Sequence, residues 1–126
     1  MTSKENSLNW FEISVKDIKR AKKFYETIFG IKMQEMEMMG MKSAFFPMEP
    51  ASGKANGSLT QSQMHEPGKS GTKVYLNANP DLSAVLGKVK DAGGEVTMPK
   101  TSLGPNGFMA FFTDTEGNSI GLHSNK

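Results

Sequence analysis

The sequence predicts an α+β fold made of two tandem βαβββ modules whose mixed, curved sheets enclose a cleft. A short strand, an amphipathic helix and three further strands follow one another twice within 126 residues. The residues suited to capping the two helices, Asp17 and Asp81, are 64 positions apart, and so are the glycines suited to ending them, Gly30 and Gly94. Equal offsets at both helix ends indicate an internal duplication.

The first module, residues 8–61, begins with a strand and a helix. Residues 8–15 are rich in aromatic and β-branched side chains, as is typical of a strand. Asp17 can accept hydrogen bonds from amides of the first helical turn, and Gly30 suits the left-handed conformation that ends many helices. The apolar residues between them recur at helical spacing: Ile18, Ala21, Phe24, Tyr25, Ile28 and Phe29. Three more strands are predicted over residues 32–38, 42–46 and 58–61.

The second module, residues 73–124, repeats this order after an exposed connector at residues 62–72. Its first strand is predicted at residues 74–78, and one helix is predicted from Asp81 to Gly93. The inward residues of that helix are Leu82, Val85, Leu86, Val89 and Ala92. The remaining strands are predicted at residues 95–98, 108–113 and 119–124. Each half has too little chain to cover both faces of its own sheet, so the halves are expected to pack together or on a partner chain.

Composition and charge exclude several classes of function. Fifteen Lys and Arg against thirteen Asp and Glu leave a net charge of +2, and the basic residues are scattered, so nucleic acid is not an expected partner. The absence of cysteine excludes disulfides and thiolate metal sites and fits a cytoplasmic location. No signal peptide and no apolar run long enough for a membrane helix is found, so no membrane association is predicted.

Three segments carry a resemblance to a known family: Trp10 to Asp17, Arg20 to Gly30, and Phe111 to Asn118. Together they resemble the vicinal oxygen chelate superfamily, which includes glyoxalase I, bleomycin-resistance proteins and extradiol dioxygenases. The resemblance extends over nearly the whole chain. It implies paired βαβββ modules, a cleft between the sheets and, frequently, a homodimer.

The resemblance also implies where a metal would be bound. Many members hold a divalent cation with His, Gln or Glu side chains on the first and last strands of each module. By position these places fall at Trp10 and Val74, near Ser58 and at Gly121. A divalent cation needs three or four converging oxygen or nitrogen donors, and these residues supply at best one hydroxyl. We therefore predict no metal of the family type and no cofactor.

Glu12 stands out because it interrupts an otherwise apolar strand. Side chains alternate along a strand, so Glu12 shares the face of Trp10, and His123 shares the face of Gly121. An inward carboxylate must be paired, protonated or functional. One hypothesis is that Glu12 and His123 form an acid/base or ligand-gripping pair beside Trp10; the alternative is that both are structural. His65, in the polar connector, is predicted to be solvated.

Ten methionines are a high count for this length, and five of them surround the first hairpin: Met33, Met36, Met38, Met39 and Met41. Core filling is the default interpretation of such residues, and a soft wall of the cleft is the alternative. Copper binding by thioethers is a further option, although the sequence offers no cluster of sulfur with imidazole.

These features favour a metal-free protein that binds a small, partly aromatic or apolar ligand between its sheets. The predicted ligand contacts, besides Glu12 and His123, are Trp10, Phe45, Ser58, Tyr75, Phe108 and Gly121. The alternative is an enzyme, a lactoylglutathione lyase-like lyase or isomerase that uses Glu12 as acid/base or recruits an atypical metal site. A third class, a structural dimer without a ligand, would be favoured if methionines filled the cleft.

Overall fold

A computed structural model describes residues 1–126 and contains two four-stranded mixed sheets. The first sheet consists of β1 (Trp10–Ser14), β2 (Gln34–Met38), β3 (Met41–Phe45) and β4 (Asn56–Gln61), in the order β1-β4-β3-β2. The second consists of β5 (Tyr75–Asn77), β6 (Glu95–Ser102), β7 (Phe108–Thr113) and β8 (Ser119–Ser124), in the order β5-β8-β7-β6. The first and last strands of each module pair in parallel, and the other neighbours are antiparallel. The predicted α+β fold of two βαβββ modules is confirmed.

The first helix, α1 (Ile18–Phe29), has the two ends that the sequence predicts. The Asp17 carboxylate accepts the backbone N–H of Arg20 at 3.1 Å, which satisfies a donor that the helix leaves unpaired. Gly30 has the left-handed conformation, with φ of 65°. Its apolar stripe is buried, so the helix covers one face of the first sheet.

The prediction of one continuous helix in the second module is wrong. Two single-turn helices are present instead, α2 (Ser83–Leu86) and α3 (Val89–Ala92), separated by Gly87 and Lys88. Gly87 and Lys88 both keep right-handed helical dihedral angles, but the Lys88 N–H bonds to the Val85 carbonyl three residues back, so the run of i→i−4 hydrogen bonds is interrupted there. The inward side chains Leu82 and Val89 nevertheless become fully buried. The apolar spacing therefore predicts the buried face, and the change in backbone hydrogen bonding at Lys88 marks where the helix breaks.

The second strand of the second module, β6, is longer than its predicted range of residues 95–98. It continues to Ser102 as the outer strand of the sheet, with shifts in register on both sides of Met98. Proline has no backbone N–H, and an outer strand with irregular pairing tolerates it. Pro99 therefore lies inside this strand and does not end it.

One hydrophobic core joins the two modules. It contains 19 buried apolar residues drawn from both sheets and all three helices. The ring of Phe24 on α1 lies 5.8 Å from the ring of Phe112 on β7, centroid to centroid. The two modules thus cover each other's apolar helix faces, as their small size predicts. No helix is both long and apolar enough to span a membrane.

A polar contact between the modules is centred on the turn Asp114–Asn118 between β7 and β8. Arg20 donates two hydrogen bonds to the Glu116 carboxylate, at 2.7 and 3.0 Å. The same carboxylate accepts the backbone N–H groups of Lys16 and Asp17, both at 2.9 Å. This turn therefore fixes the start of α1 against the second sheet.

The turn is itself held by buried hydrogen bonds. Tyr25 donates its hydroxyl to the Asp114 carboxylate at 2.8 Å, and Asp114 also accepts the backbone N–H groups of Glu116 and Asn118. Burial, and then the nearby negative charge of Asp114, raise the pKa of Tyr25 well above its usual value, so this residue remains a neutral donor. The segment Phe111 to Asn118, which carries part of the resemblance to the superfamily, therefore has a structural role in holding the turn.

Candidate functional site

Each sheet has one face covered by helices and one free of them. We call these helix-free faces the first and second open faces. On the first open face, Glu12 of β1 lies beside Ser58 of β4, and Ser58 lies beside Phe45 of β3. Their neighbours Ile13 and Leu59 point the other way, into the core. Alternation along the strand therefore places Glu12 and Trp10 as the sequence predicts.

Trp10 and Phe45 form an aromatic pair on the first open face. Their ring centroids are 5.8 Å apart in an edge-to-face arrangement, and Trp10 is 37% exposed. Ser58 is only 1% exposed, and its hydroxyl is hydrogen-bonded to the Thr60 hydroxyl at 2.9 Å. Ser58 thus lies on the predicted face but offers a ligand no free hydroxyl.

The second open face carries a corresponding aromatic pair, Tyr75 and Phe111, with ring centroids 5.3 Å apart. Tyr75 is 50% exposed and its ring lies directly over Gly121, where an added Cβ would be only 2.7 Å from the ring. Only glycine at position 121 therefore leaves room for the Tyr75 ring. Sequence reasoning missed Phe111, because Phe111 and Phe112 are adjacent and alternation alone does not say which one points inward.

Two predicted positions belong to the opposite face. Phe108 lies on the helix side of β7 with Ala110 and Phe112, packs against the core, and has the Lys100 ammonium 4.5 Å from its ring centre. The expectation that Phe108 lines the cleft is wrong. Val74, which the resemblance places at a metal position, also packs against the core. The residue that faces the second open face is the next one along the chain, Tyr75.

Glu12 is paired with His65, the histidine that the sequence placed in solvent. The His65 Nε2 lies 2.8 Å from Glu12 Oε1, and its Nδ1 lies 2.6 Å from the Ser62 hydroxyl. The His65 side chain is 12% exposed, so the prediction of a solvated residue is wrong. The contact spans 53 positions, and no local pattern in the polar connector indicates it.

The predicted pair of Glu12 and His123 is not formed. His123 lies on the second open face and donates its Nε2–H to the backbone carbonyl of Asn106 at 2.7 Å, while Glu12 bonds to His65 in the first module. A carbonyl oxygen can only accept, so this contact fixes the proton of His123 on Nε2. His123 therefore ties the 3-10 turn Gly104–Asn106 to the sheet.

The bonds of Ser62 indicate how the Glu12–His65 pair can hold a proton. The Ser62 hydroxyl accepts the backbone N–H of Met64 and can donate to Nδ1 of His65. In that arrangement His65 donates its Nε2–H to the Glu12 carboxylate. Because 40% of the Glu12 side chain is exposed, the carboxylate can accept a further donor.

A groove of about 1090 Å³ lies between the free edges of β1 and β5. Trp10 and Glu12 line one side, and Tyr75 and Asn77 line the other. Half of its 24 lining residues are apolar. The two sheets are not hydrogen-bonded to each other. Because the groove lies between their edges, it has one aromatic pair on each side.

The residues at the metal positions of the resembling family do not fit a divalent cation. Three of those positions hold an indole, a paired hydroxyl and a glycine, at Trp10, Ser58 and Gly121. At the fourth, Val74 packs against the core, and the next residue, Tyr75, places a phenol on the open face. No group of three or more His, Cys, Asp or Glu side chains is arranged to hold a metal ion. We therefore assign no chemical step to a bound metal.

Comparisons with a family model and with related sequences point to the same family. The model of the Glyoxalase/Bleomycin resistance protein/Dioxygenase superfamily matches residues 7–122. The chain is 33% identical over 123 residues to a glyoxylase-like domain-containing protein of Didymella fabae, covering 89% of this chain and 88% of that protein. It is 30% identical over 122 residues to CFP32 of Mycobacterium bovis, covering 94% of this chain but 46% of CFP32, so it spans about half of that relative.

The fold is also similar to that of solved structures. TnmS3, an antibiotic-binding protein from Streptomyces sp. CB03234, superimposes with a TM-score of 0.65 at 24% identity, covering 96% of this chain and 97% of that chain. At this identity the likeness concerns the fold alone. The match of the family model to nearly all of the sequence goes further: the chain belongs to the glyoxalase/bleomycin-resistance/dioxygenase superfamily.

Proposed function

We propose that this protein binds a small, partly aromatic or apolar ligand on its open faces without the help of a metal ion. The observation that carries the proposal is the pair of half-exposed aromatic clusters, Trp10 with Phe45 and Tyr75 with Phe111, one on each sheet. One ring of each pair, Trp10 and Tyr75, lines the groove between β1 and β5, and exposed aromatic rings in a concave surface are typical of ligand sites. TnmS3, which shares the fold, is an antibiotic-binding protein.

The polar contact of this site is the Glu12–His65 pair. Glu12 lies two residues from Trp10 on the same face, and it is partly exposed. Its free acceptor capacity favours a ligand that carries a hydrogen-bond donor beside its aromatic or apolar part.

A twofold dimer would enclose the site more completely than one chain. The strands β1 and β5 each leave one edge unpaired, and the apolar groove runs between them. Unpaired strand edges favour association with another chain. Homodimers with a twofold axis are the commonest symmetric assembly. We propose that the ligand is held within such a homodimer.

Trp10 is the only tryptophan, so its fluorescence reports directly on the site. We expect bleomycin or the probe 8-anilinonaphthalene-1-sulfonate to quench it saturably. Phe45→Ala and Tyr75→Ala should each weaken binding at least about tenfold, which corresponds to about 1.4 kcal/mol. Val96→Ala, a change on the helix side of the second sheet, should leave binding unchanged. Equal losses in all three variants, or no saturable quenching, would contradict the proposal.

A second candidate function is a lyase or isomerase that uses Glu12 as acid/base. The hydrogen bond between Glu12 and His65 favours it, because the pair can hold a proton next to the aromatic platform. The Didymella fabae relative is described as glyoxylase-like.

Glu12→Gln separates the two candidates. The enzyme candidate predicts turnover of the hemithioacetal of methylglyoxal and glutathione, with or without added nickel or zinc. It also predicts a loss of that turnover in Glu12→Gln while quenching of Trp10 by the ligand is retained. Absence of turnover in the unmodified protein under all three metal conditions would exclude this candidate and leave the binding proposal intact.

A further inference from the structure

The β2–β3 hairpin presents three thioethers on the first open face. Met38 and Met41 are direct cross-strand partners, and Met36 is paired with Ser43. Because residues two apart on a strand share a face, Met36 joins the other two methionines there. These three residues are here called the methionine cluster.

The register brings the three side chains within reach of one ion. Directly opposite residues have Cβ atoms about 5 Å apart, and diagonal neighbours such as Met36 and Met41 are about 7–8 Å apart. Residues two apart on one strand are separated by about 7 Å. The thioether lies at the end of a flexible chain, so the three sulfur atoms can converge above the hairpin.

The turn of the hairpin holds this register. Met39 and Gly40 both have positive φ, at 53° and 77°. Two consecutive residues of this kind are typical of the two-residue turn that matches the twist of the adjoining strands. The backbone below the methionine cluster is therefore set by a tight hairpin.

Core packing does not account for the methionine cluster. Met33, which precedes β2, is 4% exposed and belongs to the core, whereas Met36 and Met38 are 49% and 59% exposed. β2 is the outer strand of the sheet, and every residue in it is exposed. Exposed thioethers gain little from the hydrophobic effect, which depends on area removed from water.

The chemistry of the cluster selects a soft monovalent cation. Thioether sulfur is a neutral, soft donor that favours Cu(I), and it competes poorly for hard cations. The hairpin contains neither cysteine nor histidine, and its carboxylates, Glu35 and Glu37, point to the other face of the sheet. We propose that Met36, Met38 and Met41 form a three-thioether site for Cu(I), made of residues other than the proposed contacts of the aromatic ligand.

The test is metal titration of the purified full chain under anaerobic conditions. Native mass spectrometry should show one Cu(I), or one Ag(I) used as its redox-stable analogue, per chain. Competition with a chromophoric Cu(I) chelator should give an affinity at least about tenfold lower for Met38→Leu, and no competitive binding for the triple Leu variant. Leucine is similar in volume and keeps the surface apolar, so circular dichroism should show an unchanged fold.

Met64→Leu is the matched control, because Met64 is 83% exposed and lies outside the hairpin. Its affinity for Cu(I) should equal that of the unmodified chain. In protein labelled with carbon-13 at the methionine methyl groups, Ag(I) should shift the signals of Met36, Met38 and Met41. Absence of stoichiometric binding, shifts at other methionines, or an equal loss in Met64→Leu would each overturn the proposal.

Discussion

Gly121 and Tyr75 illustrate how a single residue shapes the second open face. The resemblance to the superfamily places a metal ligand at Gly121, yet the Tyr75 ring occupies the space where its side chain would be. Glycine allows the ring to approach the backbone closely, next to its aromatic partner Phe111. The missing side chain at Gly121 is thus replaced by an aromatic surface.

Gly121→Ala should destabilise the protein by about 1–3 kcal/mol, because the new Cβ would force the Tyr75 ring away from the sheet. Urea denaturation followed by circular dichroism measures this change. Gly68→Ala is the control, since nothing lies within 4 Å of its Cβ position and its φ is not positive. We expect that variant to remain within about 0.5 kcal/mol of the unmodified protein. Equal stability of both variants would show that Tyr75 does not rest on Gly121.

Residue placement is predictable from the sequence where a strict alternation applies. Trp10, Glu12 and Phe45 lie on the predicted face because their strands are regular. Phe108 was misplaced, since apolar residues occupy both faces of β7 and the alternation is lost. The contact of His65 with Glu12 depends on how the connector folds over the sheet, and that tertiary contact has no local signature.

At the scale of elements, the β7–β8 turn is the main polar link between the modules. The Glu116 side chain is 0% exposed and accepts hydrogen bonds from Arg20 and two backbone amides. Burial alone would raise the pKa of Glu116, but these hydrogen bonds together hold it below its usual value. The carboxylate is therefore ionised at neutral pH and contributes to stability in that form.

Glu116→Gln should lower the free energy of unfolding by about 2 kcal/mol at pH 7, since hydrogen bonds to a charged group are lost. A carboxylate whose folded pKa is lowered stabilises above its unfolded value of 4.5 and loses that contribution as the pH falls through the folded pKa. The difference between the variant and the unmodified protein should therefore shrink below pH 4.5. Denaturant titrations at neutral and acid pH measure it.

Glu66→Gln provides the control for this prediction. Glu66 also forms an ion pair, with Lys16 at 2.8 Å, but both side chains are mostly exposed. Exposed pairs contribute between about 0 and 1 kcal/mol. A loss in Glu66→Gln as large as that in Glu116→Gln would mean that the turn is not a special link between the modules.

Element prediction succeeded where capping residues have a specific geometry. Asp17 and Gly30 fix both ends of α1, and both can be identified from the sequence. The break at Gly87 was not predicted, because the apolar spacing of Leu82, Val85 and Val89 continues through it. Periodicity reports which side of the chain is buried, but the hydrogen bonding of the backbone decides whether one helix or two are formed.

At the scale of the molecule, two sheets share one core and leave four strand edges free, of which those of β1 and β5 border the groove. We predict a homodimer that uses the edges of β1 and β5 and the groove between them. Light scattering should give a mass twice the 13.8 kDa of the chain. Leu8→Lys places a charge in the groove, where Leu8 is 47% exposed, and should dissociate the dimer. A monomeric mass at every concentration, or equal dissociation by Met64→Lys, would contradict this arrangement.

The shared core also bears on how the chain could be divided. Because Phe24 of the first module packs on Phe112 of the second, the association of the two modules depends on side-chain contacts more than on the covalent connector. A peptide bond cut after Lys69, beyond the His65 contact, would leave two fragments that hold together without a link. Either fragment produced separately would expose its apolar helix face to water, so mixing the two should restore structure that neither has alone.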